Sequence, residues 1–142
     1  AISLHAPDDA TRADLLPMGR RFDVNEVLEA ADRYQADSGR ITTIQYCLLD
    51  GVNDSLAQAR DLARLLTGRR MHVNLLRYNP TGLSLKGRSY LPSSLEQTEA
   101  FLTELRAHGA IAHLRRARGP DIDAACGQLR KREAAASSAA LM

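Results

Sequence analysis

Apolar positions follow two alternating periods along the chain. Segments in which they return every three or four residues predict amphipathic helices, and these are 24–38, 56–67 and 95–108. Segments rich in β-branched and apolar residues are typical of strands, and these are 1–5, 41–49, 73–78 and 110–114. The predicted order is β-α-β-α-β-α-β, in which crossovers of helical length require parallel strands. The fold class is therefore α/β, with the strands forming either an open sheet or an arc of a barrel.

Polar residues and glycines mark the expected ends of the helices. Asp23 and Glu26 have the spacing of a capping box, and Gly39 is expected to end the first helix. The expected caps of the second and third helices are Asn53 or Asp54 and Ser93 or Ser94, respectively. The apolar stripes of the three helices are expected to include Tyr34, Leu56 and Leu95.

The remaining segments suggest one domain with a tail. The strand at 41–49 is expected to be buried on both faces, because it contains an almost continuous run of strand-forming residues. We expect a turn after Pro7, a long polar loop over 79–92 and a short helix over 121–129. Residues 1–129 form the predicted α/β unit, and 130–142 are predicted to be a flexible tail.

Composition excludes several classes of protein. A chain of 142 residues suits a single domain, and no apolar run approaches the roughly 18 residues of a membrane span. Two cysteines cannot supply the thiolates of a zinc or iron–sulfur site, so no metal is expected in this chain. Because the first residues include neither an initiator Met nor a secretory signal, we expect a fragment that starts inside a structural element.

Charge is unevenly distributed along the chain. Residues 1–61 carry eleven acids and six bases, whereas residues 62–95 carry six bases and no acid. A basic region suits an anionic partner such as nucleic acid. Composition alone favours the simpler interpretation that these charges lie on solvated faces, because a basic patch indicates a partner only weakly.

Candidate chemistry concentrates where the predicted strands end. In parallel α/β folds the carboxyl ends of the strands meet at one edge, and ligands bind there. The polar residues at or just after the ends of the four predicted strands include Ser3 and His5, Asp50 and Asn53, Arg77 to Asn79, and Arg115, Arg116, Arg118 and Cys126.

Each of these residues also has a structural interpretation. His5 could hydrogen-bond a loop carbonyl, and Asn79 before Pro80 is a common turn pair. Cys47 is expected to pack in the core as a small hydrophobe. Cys126 lies between small residues that leave its sulfur approachable, and spacing alone does not decide whether it is reactive.

Several motifs in the same order along the chain carry a family resemblance. They are Ser3-Leu4-His5-Ala6-Pro7, Leu48-Leu49-Asp50-Gly51-Val52-Asn53-Asp54, Asn74-Leu75, Tyr78-Asn79-Pro80 and the long, specific Arg118-Gly119-Pro120-Asp121-Ile122-Asp123-Ala124-Ala125-Cys126-Gly127-Gln128-Leu129. With these motifs, the chain resembles the C-terminal half of the radical S-adenosylmethionine (SAM) methyltransferases of the RlmN/Cfr type, which act on adenine in ribosomal RNA. Their fold is an incomplete (β/α) barrel.

The resemblance implies a function and a set of site residues. The activity would be methylation of an adenine carbon in ribosomal RNA: C2 for the RlmN type, which also modifies transfer RNA, or C8 for the Cfr type. Ser3, Leu4, His5 and Asn79 would contact SAM, and Cys126 would carry the methyl group as S-methylcysteine. A second cysteine would release the product by forming a disulfide. Arg116 and Arg118 are the candidate RNA contacts, and the cytoplasm is the expected location.

The chain also departs from the family pattern. The three-cysteine motif that holds a [4Fe-4S] cluster is absent, so the cluster would belong to the missing N-terminal half, as would the resolving cysteine. Gln45, Arg77 and Pro120 stand where the family often has Glu, Pro and Asp. Two alternatives therefore stay open: a truncated, non-catalytic RNA- or nucleotide-binding module, and a purely structural α/β domain.

Overall fold

A four-stranded parallel sheet organises the computed structural model, which describes residues 1–80 and 87–115. The strands, in spatial and chain order, are β1 (Ile2–Ser3), β2 (Thr42–Leu48), β3 (Met71–Arg77) and β4 (Ile111–Leu114). The helices are α1 (Asp9–Leu15), α2 (Val24–Ser38), α3 (Leu56–Leu66) and α4 (Leu95–Ala107), with a 3₁₀ turn over Pro17–Arg20. The predicted parallel α/β order is confirmed.

The core lies on one face of this sheet. Along β2 and β3 every second side chain is buried, and the buried set faces the helices. Tyr46 and Phe101, two of the largest buried side chains, have ring centroids 5.3 Å apart. Burial of this apolar surface supplies most of the driving force for folding.

The opposite face of the sheet corrects the expectation for β2. Its side chains alternate between buried and half-buried, so the strand is packed tightly on one face only. The residues that face away from the helices include Thr43, Gln45 and Cys47. Nothing in the described part of the chain packs a helix against this side, so we name the half-buried and exposed side chains there the open face.

The helix ends confirm some of the predicted caps and correct others. The Asp23–Glu26 capping box is present, and Gly39 ends α2 with a φ of 71°. Ser94 caps α4. The cap of α3 is Ser55, not Asn53 or Asp54, because both of these side chains bond elsewhere in the preceding turn.

Two further expectations from the pattern were wrong. Asp8 does not end a strand in a simple turn but caps α1, accepting a 2.7 Å hydrogen bond from the Thr11 N–H. Helical spacing also assigned exposed residues to buried stripes: Tyr34, Leu56 and Leu95 are all exposed. Leu56 and Leu95 are the first residues of α3 and α4, and Tyr34 is near the end of α2, so all three lie close to the ends of their helices.

No helix in the described ranges is long and apolar enough to cross a membrane. The predicted helix at 121–129 and the predicted tail at 130–142 lie outside the described residues.

Candidate cofactor site

The carboxyl ends of the strands bring the candidate residues to one edge. β1 pairs with β2 and β2 with β3, all in parallel, so the segments after Ser3 and after Arg77 leave the sheet at the same edge. We call this edge the rim. The prediction that His5 and Asn79 lie at the same edge is thereby confirmed.

Ser3 and Leu4, the first two residues of the first motif, differ in exposure. Ser3 is exposed and lies in register with Gln45. Leu4 is fully buried in the core, and its backbone N–H donates a 3.0 Å hydrogen bond to the Gln45 carbonyl. A ligand at the rim could therefore meet only the main chain of Leu4, whereas the side chain of Ser3 is accessible to it.

His5 has the most constrained geometry of the rim residues. Its φ of 61° makes it the one non-glycine residue with a positive φ in the described ranges. The ring Nδ1 accepts a 2.9 Å hydrogen bond from the Cys47 backbone N–H. Burial, followed by the positive charge of Arg12, lowers the pKa of His5 below its ordinary 6.5. His5 is therefore a neutral imidazole near pH 7.

Asn53 supports this part of the rim, where the sequence analysis listed it, although the sequence also suggested it as a helix cap. Its side chain is fully buried and bonds to His5, Cys47 and Leu49. Its backbone carbonyl accepts a 2.7 Å hydrogen bond from the Tyr46 hydroxyl. The signal was present in the sequence as an amide in the turn that follows a buried strand.

A row of polar side chains crosses the open face. Each of the four strands contributes one residue, and each residue is paired in register with the next across the sheet. They are Ser3, Gln45, Asn74 and His113. None of the four side chains forms a hydrogen bond with another described residue. His113 also lies beside His72, with ring centroids 6.3 Å apart. The row leaves hydroxyl, amide and imidazole groups available to a ligand or to another part of a larger protein.

Cys47 lies on this open face rather than in the core, which corrects the expected placement. Its side chain is half-buried, and burial raises the pKa of the thiol to about 11. A thiol in this state is protonated at neutral pH and is a poor nucleophile. The interpretation of Cys47 as chemically inert fits this environment.

Several of the arginines of the basic segment 62–95 are held by partners. Arg69 pairs with Asp32 at 3.3 Å and Arg88 with Asp14 at 2.6 Å, so acids of the first 61 residues neutralise them. Arg77 donates from Nε and Nη2 to the Ser93 carbonyl at 3.3 and 3.1 Å. The uneven charge of the sequence is thus partly balanced in space, which supports the interpretation of solvated, paired charges.

The remaining candidate residues lie at the rim, just after β4 or outside the described residues. Asn79 is exposed at the rim, and Arg115 is exposed just after β4. Arg116, Arg118 and Cys126 lie outside the described residues.

No group of three potential metal ligands occurs in the described ranges. With two cysteines in the whole chain, its residues do not fit a [4Fe-4S] cluster.

A separate apolar cleft lies at the opposite end of the strands. Its volume is about 560 Å³, and its lining includes Phe22, Tyr34 and Ile41. Ile2 and Thr42, at the starts of β1 and β2, also line it. The cleft is therefore remote from the rim and contains none of the candidate site residues.

Comparison with known proteins finds relatives that are similar to this chain in sequence. No family model matches it. It is 68% identical over 130 residues to the probable dual-specificity RNA methyltransferase RlmN 1 of Opitutus terrae, covering 92% of this chain and 37% of that protein. The similarly named RlmN of Parafrankia is 49% identical over 129 residues, covering 91% of this chain and 32% of that protein. The chain thus spans about a third of the length of these relatives.

Solved structures agree with the sequence relatives. A radical SAM methyltransferase from Sphaerobacter thermophilus matches with a TM-score of 0.80 and 47% identity, over 89% of this chain and 36% of that one. A domain of pyruvate-formate lyase-activating enzyme from Bacteroides vulgatus shares the fold, with a TM-score of 0.58 and 22% identity, over 81% of this chain and 65% of that one. Over the part of their length that it matches, the chain is similar in sequence and in fold to RlmN-type radical SAM methyltransferases.

Proposed function

We propose that this chain is the C-terminal part of an RNA methyltransferase that modifies an adenine carbon, C2, in ribosomal RNA and also acts on transfer RNA. The observation that carries the proposal is the 68% identity to a relative named as a dual-specificity RNA methyltransferase. The rim adds a physical argument, because polar groups from separate strands meet there as a ligand site requires. Such a protein would act in the cytoplasm, where both RNA classes are found.

The rim fits SAM through the residues of two motifs. Ser3 and Asn79 are exposed, and the His5 ring has one nitrogen left for a ligand. The main chain at Leu4 completes the set. When bound, SAM supplies the methyl group and, together with an iron–sulfur cluster, the radical. The residues of this chain orient it and limit the access of water.

Cys126 is the proposed methyl carrier. Its thiolate would take the methyl group as S-methylcysteine, and a second cysteine would free the product by forming a disulfide with it. Cys47 is unsuited to either task, because its pKa is raised to about 11 and it lies on a strand rather than in the motif of Cys126. The resolving cysteine would therefore come from outside this chain.

The remainder of a longer protein would supply what this chain lacks. The [4Fe-4S] cluster needs three cysteine thiolates at close spacing, and this chain has two cysteines far apart in sequence. We place the cluster in the N-terminal half of the same protein, which would also cover the open face. Arg116 and Arg118 would contact RNA phosphates, for which guanidinium groups are suited.

The experiment is methyl transfer by the longer protein with its cluster in place. With SAM labelled in the methyl group, label should appear first on Cys126 and then at C2 of adenine in a ribosomal RNA fragment. RNA binding without any transfer of label would refute the proposal and favour the non-catalytic binding module. Label on another atom of the base would refute the assigned position only.

A further inference from the structure

Strand β1 ends before its neighbour, so the last residues of β2 are paired with β3 on one edge but have no partner strand on the other. The last hydrogen bond along this edge joins the Leu4 N–H to the Gln45 carbonyl at 3.0 Å. β2 continues to Leu48, so the backbone groups of Cys47 and Leu49 beyond that bond need other partners. A buried backbone group without a partner costs about as much as a lost hydrogen bond.

Two side chains take the place of the absent strand. His5 Nδ1 accepts from the Cys47 N–H at 2.9 Å, and Asn53 Nδ2 donates to the Cys47 carbonyl at 2.8 Å. Asn53 Oδ1 accepts from the Leu49 N–H at 2.7 Å. The second Nδ2 proton bonds to the His5 carbonyl at 2.8 Å, so one buried amide joins β2 to the residue that leaves the sheet.

These bonds fix which nitrogen of His5 carries the proton. A neutral imidazole has one donor and one acceptor nitrogen, and Nδ1 is the acceptor here. The proton therefore lies on Nε2. This nitrogen has no hydrogen-bond partner among the described residues, and it is not fully buried. Nε2–H is thus open to a ligand at the rim.

We propose that Asn53 is a positioning residue that holds His5 in its left-handed backbone conformation, so that the rim presents a neutral Nε2–H donor to an acceptor atom of the bound cofactor. His5 then acts as a hydrogen-bond donor and not as a proton acceptor. The cofactor in this statement rests on the proposed function, whereas the geometry of His5 and Asn53 does not.

The first test needs no ligand and uses the 142-residue chain labelled with ¹⁵N. We expect the ¹⁵N chemical shift of His5 Nδ1 to be that of a non-protonated ring nitrogen, and the shift of Nε2 to be that of a protonated one. We also expect a scalar coupling between Nδ1 and the Cys47 amide nitrogen across their hydrogen bond. His5→Gln assigns the signals among the four histidines. A mixture of tautomers, or no coupling in the folded chain, overturns the inference.

The second test removes the two donated bonds with one isosteric change. Asn53→Asp keeps an acceptor for the Leu49 N–H but places a carboxylate against two carbonyls. We expect the His5 tautomer to become mixed, and binding of SAM to the longer protein to weaken about tenfold, the loss of one good hydrogen bond. Asn25→Asp, on the exposed face of α2, is the matched control and should change neither.

The outcomes separate the inference from the proposed function. An unchanged His5 tautomer in folded Asn53→Asp overturns the positioning role. If that variant fails to fold, Asn53→Ser is measured in the same way. If the tautomer is fixed but saturating SAM leaves the Nε2 signal of the longer protein unmoved, the cofactor contact is refuted and the positioning of His5 stands.

Discussion

At the residue scale, the surroundings of a side chain decide its chemistry more than its type does. The two cysteines of the chain illustrate this. Cys47 lies on a strand with its pKa raised to about 11 by burial, whereas Cys126 follows Ala124 and Ala125 and precedes Gly127 in the specific motif. The sequence already separated the two by their neighbours. It could not place Cys47 on the open face, because an almost continuous run of strand-forming residues does not show which face is covered.

The two thiols give a paired prediction for activity. In the longer protein, Cys126→Ala should abolish methyl transfer, because the proposed methyl carrier is lost. Cys47→Ala should retain transfer and lower the free energy of unfolding by about 1 kcal/mol, the scale of a small cavity. Labelled methyl is followed to protein and to RNA, with thermal unfolding of each variant as the control. Normal transfer by Cys126→Ala, or none by folded Cys47→Ala, would contradict the assignment.

His5 gives a prediction for the pH dependence of stability. Its folded-state pKa lies below the unfolded value of 6.5, so the unfolded chain takes up a proton first as the pH falls. The contribution of His5 to stability is therefore complete above pH 6.5 and decreases as the pH falls from there through the folded-state pKa.

The measurement compares urea unfolding of the chain at pH 7.5 and at lower pH values. His5→Gln should remove part of the acid destabilisation, since an amide does not titrate but can still accept from the Cys47 N–H. His108→Gln is the matched control, because His108 is exposed near the end of α4. An equal pH dependence for wild type and His5→Gln would show that His5 does not titrate differently in the folded state.

At the element scale, periodicity identified every strand and three of the four helices in the ranges that the structure describes. It missed α1 because this helix has seven residues and follows Pro7-Asp8, a pair that also suits a turn. It misplaced the cap of α3 because three polar residues stand in succession, Asn53, Asp54 and Ser55. Only the three-dimensional contacts show that the first two are engaged: Asp54 accepts from Ser93 Oγ at 2.7 Å, and Asn53 bonds to β2.

The assignment of Ser55 as the cap leads to a stability prediction. Ser55→Ala should lower the free energy of unfolding by about 1 kcal/mol, because the hydroxyl accepts from the Gln58 N–H and completes a capping box. Thr103→Ala, at an exposed position inside α4, is the control and should cost nothing, since alanine favours helix. Urea denaturation of both variants measures the difference. Equal stability of Ser55→Ala and wild type would contradict the cap.

At the scale of the whole molecule, the two faces of the sheet differ in the described ranges, because one is packed in the core and the other is not. Helices cover the core face, whereas the open face carries the polar row from Ser3 to His113. The apolar cleft exposes Phe22, Tyr34 and Ile41 beside the edge strand β1. The sequence predicted parallel strands but not which surfaces stay uncovered in the described ranges, because periodicity does not show what packs against each face of a sheet.

These uncovered surfaces predict self-association of the isolated chain. Edge strands with free backbone groups and exposed apolar side chains promote pairing between molecules. Sedimentation velocity should therefore show concentration-dependent association of the chain, and the longer protein should show less, because its other half would cover the same surfaces.

A pair of substitutions tests whether the cleft takes part in this association. Ile41 is 46% exposed and lines the cleft, whereas Leu95 is 64% exposed at the start of α4 and does not. Ile41→Lys should reduce association, since a charge would have to be buried in the contact. Leu95→Lys, which introduces the same charge at a more exposed site, should leave it unchanged. Equal effects of the two substitutions would show that net charge, and not the cleft, governs association.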